Sequence, residues 1–92
     1  MVKLNDGVEE SNPRLKAMFL EVVDNQLKSN DPPETRKTLD RLVASGLSSE
    51  DAMIYIAQAV CVEVFTVLKD KKPFDSARFL RNLAALPEEP RE

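Results

Sequence analysis

Two side chains in this 92-residue chain have the chemical character of a reaction centre, and both lie in one apolar stretch, A-V-C-V-E-V-F. Glu63 stands among valines, where a carboxylate is harder to ionise and can act as an acid or a base. The competing expectation is structural: Glu63 lies on the solvent edge of a helix, or pairs with a lysine or arginine from another helix. No second carboxylate is near enough along the helix to form a catalytic pair with it, so the structural role is preferred. Cys61 would be nucleophilic only as a thiolate with a base beside it. The chain has no histidine, and the neighbours of Cys61 are apolar, so it is read as a small core residue.

Three further groups have binding chemistry. Tyr55 could donate a hydrogen bond to a ligand, but a half-exposed interface tyrosine fits its place in the apolar run better. Gln26 continues the stripe Phe19, Val22, Val23 and should point inward, where a buried amide needs partners. It is expected to bond the backbone where the second helix begins. Lys69, Lys71, Lys72, Arg78 and Arg81 form the one basic concentration and are possible contacts for phosphate or an acidic partner. They also suit the end of one helix and the solvated face of the next.

Composition sets limits on these readings. The net charge is -3 and the isoelectric point about 5.0, which argues against a protein whose main task is holding nucleic acid. One cysteine excludes an internal disulfide and a multi-thiolate zinc site, and the absence of histidine removes the commonest metal ligand and general base. Gly7 and Gly46 are the only glycines, so no glycine-rich phosphate loop can be written. We therefore expect no catalytic residues, no cofactor and no metal site, and not an enzyme. The opening M-V-K-L-N-D-G-V-E-E lacks the apolar core of a signal peptide. The apolar run Ala52–Leu68 falls short of the roughly 20 residues that cross a bilayer, with Glu63 inside it. A cytoplasmic protein with no membrane association is expected.

The elements that position these residues are clearly punctuated. Asn12-Pro13 is a cap followed by proline at the first helical position, and Leu15, Met18, Phe19, Val22, Val23 and Leu27 then repeat with helical period. The first helix is expected over residues 13–28, ending at Ser29-Asn30. Asp31-Pro32-Pro33-Glu34 is a second start, with Asp31 as cap and Glu34 in the capping-box position. That helix is expected over residues 32–45, with Gly46 as its left-handed stop. Ser48 caps the third helix, with Glu50 and Asp51 in its first turn and lysines at its end, both favourable to the helix dipole. Pro73 closes the connection. Phe74 and Phe79 flank the start of the fourth helix as a hydrophobic staple, and Pro87 ends it. We expect residues 1–11 to be a disordered or loosely ordered N-terminal arm, 12–86 one helical domain, and 87–92 a disordered tail.

On a helical wheel of about 100° per residue, Met53, Ile54, Ile56, Ala57, Val60, Cys61, Val64, Phe65, Val67 and Leu68 share one half of the third helix. That half is expected to be core. The other side carries Asp51, Gln58, Glu63, Thr66 and Lys69, but also Tyr55, Ala59 and Val62. Tyr55, Ala59, Val62 and Thr66 are spaced four, three and four apart, as in a helix–helix seam. Either other helices of the chain cover this seam or a second copy does. A short chain has limited surface with which to enclose one helix, which favours a homodimer.

N-P-R-L, N-Q-L, N-D-P-P-E-T, the apolar helix, and K-K-P-F-D with its final helix occur in a familiar order. Over residues 12–86 the chain resembles a family of small, uncharacterised bacterial and archaeal helical proteins, a domain of unknown function. The resemblance implies an all-helical fold and carries no activity. Relatives with this pattern often have histidines in the first helix and near the start of the third, and any metal or catalytic role of those is absent here.

The expectation is thus all-α: a compact four-helix bundle with a central apolar third helix, acting as a homodimeric protein–protein interaction module. An adaptor for nucleic acid or an acidic partner through residues 69–81, and a ligand binder or enzyme centred on Glu63 or Gln26, are the alternatives.

Overall fold

In the computed structural model, which describes residues 13–90, four helices follow one another: α1 (Pro13–Ser29), α2 (Pro33–Ala44), α3 (Ser49–Asp70) and α4 (Ser76–Ala85). No strand occurs among the described residues. The expected cap Asn12, the arm 1–11 and residues 91–92 lie outside them. Within the expected tail, the Glu88 N–H bonds the Ala85 carbonyl at 2.9 Å, and Pro90 is buried.

Several helix ends are fixed by local chemistry. Asn30 adopts a left-handed φ of 53° after α1. This turns the Asn30 N–H to the Leu27 carbonyl and the Asp31 N–H to the Gln26 carbonyl. Gly46, at φ 115°, does the same after α2: its N–H bonds Val43 and the Leu47 N–H bonds Leu42. This paired pattern satisfies carbonyls that a helix end otherwise leaves open. Ser48 accepts the Asp51 N–H at 3.0 Å to cap α3, and Asp75 accepts the Arg78 N–H at 3.0 Å to cap α4. The staple also forms: the Phe74 and Phe79 rings meet edge to face with centroids 5.4 Å apart.

One expected cap does not form. The residue preceding α2 is Pro32, with extended backbone and no side-chain cap bond, so Asp31 does not cap this helix. Pro33 occupies the first helical position, where proline's missing N–H costs nothing.

α3 packs against α1, α2 and α4, while α2 also touches α1 and α4. The third helix is therefore central, as expected. Phe19 and Val23 from α1, Leu42 from α2, Ile56, Ala57 and Val60 from α3, and Phe79 and Leu83 from α4 form its core. The radius of gyration, 12.3 Å, is that of a compact chain of this length. At 22 residues α3 is long and apolar enough to cross a membrane, so the length argument made from Ala52–Leu68 does not hold. In this fold it packs against the other three helices.

Candidate functional site

The side of α3 that holds Glu63 is interior. At 0 % exposure Glu63 does not lie on a solvent edge; it takes the paired alternative. Its Oε2 accepts Arg78 Nε at 2.6 Å, and its Oε1 accepts Arg78 Nη2 at 3.0 Å and the Asp75 N–H at 2.9 Å. A planar guanidinium meets a carboxylate in this two-pronged way with both charge and geometry matched. The N-cap Asp75 is therefore tied from both directions: its N–H to Glu63, and its carboxylate to the Arg78 N–H. That last bond, ahead of the nearby Arg78 and Arg81 charges, holds the Asp75 carboxyl below the usual carboxylate range.

This arrangement joins α3 to α4 and occupies the oxygens that acid–base chemistry would require. It also ties Arg78, one of the basic concentration, into the interior; Lys69, Lys71, Lys72 and Arg81 are exposed. Lys72, Pro73, Phe74, Asp75, Ser76 and Arg78 line a shallow depression of about 380 Å³. A second, of about 230 Å³, lies between α2 and α4 at Glu34, Lys37, Thr38, Arg41, Leu80, Leu83 and Ala84. Neither is lined by Glu63 or Gln26.

Gln26 meets a side chain instead of the expected backbone. Thr35, fully buried at the start of α2, donates its hydroxyl to Gln26 Oε1 at 2.8 Å. Together with the Asp31 N–H on the Gln26 carbonyl, at 3.1 Å, this fixes the α1–α2 turn.

Cys61 is buried, and desolvation pushes its thiol up to about 11. With so little thiolate at neutral pH, modification by an aromatic disulfide reagent should be about a hundredfold slower in the native protein than in urea. Stopped-flow absorbance measures both rates, and equal rates would remove the thiol from the core.

The expected seam divides. Ala59 is 0 % and Thr66 3 % exposed, covered within the chain itself; the Thr66 hydroxyl is satisfied by the Val62 carbonyl at 2.9 Å. Tyr55 and Val62 remain half-buried. Phe65 and Leu68, expected in the core, are 36 % and 66 % exposed. The open side of α3 is thus rotated by roughly 50° from the expected seam, at 100° per residue. It runs through Tyr55, Gln58, Val62 and Phe65, with Leu68 beside it. The cause is Glu63. Once Arg78 neutralises that carboxylate, the face that carries it can be buried, and the apolar face opposite is left partly uncovered.

Arg41 was not anticipated. From α2 it donates to the Leu86 carbonyl at 2.8 Å and the Leu83 carbonyl at 2.9 Å. It thereby serves as the cation at the end of α4, which carries no basic residue in its own last turn. The only local signal is a long cation in the last turn of α2; its partners are more than 40 residues away.

No group of three or more histidine, cysteine or acidic residues placed to hold a metal occurs among the described residues. Compared with known proteins, the chain matches no family model, no curated protein and no solved structure.

Proposed function

We propose that this chain is a small non-enzymatic interaction module whose binding surface is the open strip of α3. The observation that carries the reading is the exposure of Phe65 and Leu68, in line with the half-open Tyr55, Gln58 and Val62. Tyr55, Gln58, Val62 and Phe65 are spaced three, four and three apart, which presents one continuous ridge to another helix. The two groups with reaction chemistry support the same reading, since Glu63 is saturated by Arg78 and Cys61 is packed in the core. A buried thiol suits the reducing cytoplasm, where we place the protein.

Matched pull-downs from native lysate, with wild type and Phe65→Glu as baits, test this. A charge in the middle of an apolar contact should remove the captured species while circular dichroism keeps its helical form. Identical capture by the two baits would place the binding surface elsewhere.

A further inference from the structure

The open strip has an internal symmetry. Extended by one step at each end it reads Asp51, Tyr55, Gln58, Val62, Phe65, Lys69, with spacings of four, three, four, three and four. These six fall within about 80° of one another around the helix at 100° per residue. None is enclosed: Asp51, Phe65 and Lys69 are exposed, and Tyr55, Gln58 and Val62 half-buried. The spacing is the same read in either direction about residue 60. The charges are opposite in sign across that point, and the two aromatic residues are equidistant from it.

We infer that the partner of this strip is a second copy of the chain, docked antiparallel across a two-fold axis at residue 60 of α3. The inference rests on the strip being the binding surface. In an isologous contact each residue meets its mirror position. Asp51 then faces the partner's Lys69 at both ends, Tyr55 faces the partner's Phe65, and Gln58 faces the partner's Val62. Aromatic pairs of this kind favour offset or edge-to-face contact. The charge pairs lie about 27 Å apart, at 1.5 Å per residue, and act as an orientation lock. A parallel pairing sets Asp51 against Asp51 and Lys69 against Lys69, so the same lock repels it. The opposed helix dipoles also favour the antiparallel arrangement. One helix strip buries less than the ~800 Å² per partner of a standard interface, so the dimer should dissociate on dilution.

Sedimentation velocity over a concentration series, at low and high salt, tests the inference with four proteins. Wild type should associate, and more weakly at high salt. Asp51→Lys and Lys69→Asp should each raise the dissociation constant about tenfold at low salt, because each turns two attractions into two repulsions. The double variant should return to within about twofold of wild type. Wild type that stays monomeric throughout overturns the inference. So does association that the single reversals leave unchanged, or that the double reversal does not restore. Phe65→Glu separates the two levels of the argument. If it leaves association intact, the strip itself is not the surface. If it abolishes association while the charge reversals have no effect, the strip stands and the antiparallel two-fold falls. Melting of each variant by circular dichroism checks that the fold is kept.

Discussion

Arg78→Ala should be among the most damaging single substitutions in this protein, lowering stability by about 3–5 kcal/mol at neutral pH. Glu63 is fully buried, and without Arg78 its carboxylate keeps, among the described residues, only the Asp75 N–H. An uncompensated buried charge is the costly outcome; the pair itself adds little over a well-packed apolar pair. Against a typical total of about 5–15 kcal/mol, that loss can unfold a substantial fraction of the molecules. Glu63→Ala should cost less than Arg78→Ala, because the Arg78 side chain is 18 % exposed and can turn its charge to water. Replacing both together by methionine and leucine should recover most of the loss. Urea unfolding of the four proteins at neutral pH measures these differences. Equal stability of wild type and Arg78→Ala would show that the pair does not hold α4 to α3.

Phe79→Ala should cost about 3–5 kcal/mol as well, through a different mechanism. Phe79 is one of the largest fully buried side chains and lies in the core with Leu83, Ile56 and Leu42. Its removal opens a cavity that the surrounding helices close only in part. It also removes the ring against which Phe74 stacks, an aromatic contact worth about 0.5–1.5 kcal/mol beyond the buried area. Phe74→Ala should lose that smaller amount alone, since Phe74 is already 45 % exposed. Thermal melts of both variants measure the ratio. Equal losses would mean that Phe79 stabilises the start of α4 and contributes little to the core.

The four helices were legible because their ends are written locally. Gly46 at a left-handed turn, Ser48 and Asp75 as caps, and Phe74 with Phe79 as a staple are each decided within a few residues of one another. Asp31 failed as a cap for an equally local reason: Pro32, not Asp31, became the residue before α2. What was not legible depends on residues far apart. A helical wheel shows which side chains are apolar, not which are covered. Glu63 marked its face as outward until Arg78, fifteen positions on, neutralised it. That one pairing turned Ala59 and Thr66 inward and left Phe65 and Leu68 outward. Tyr55 and Val62, the other two residues of the expected seam, stay half-buried because they border the open side. Arg41 could not be assigned because its partners are carbonyls, which have no residue type to signal them.

The central claim, that the open face of α3 through Tyr55, Gln58, Val62 and Phe65 is where this protein binds, is tested most directly by amide chemical shifts. Nitrogen–proton correlation spectra of wild type would be recorded from low micromolar to millimolar concentration. Concentration-dependent shifts should centre on residues 51–69 and be strongest at Gln58, Val62 and Phe65, while Ala59 and Thr66, on the buried side, move least. Changes that centre on α1 or α2 would contradict binding by this face, and spectra that do not change with concentration would contradict its binding a second copy.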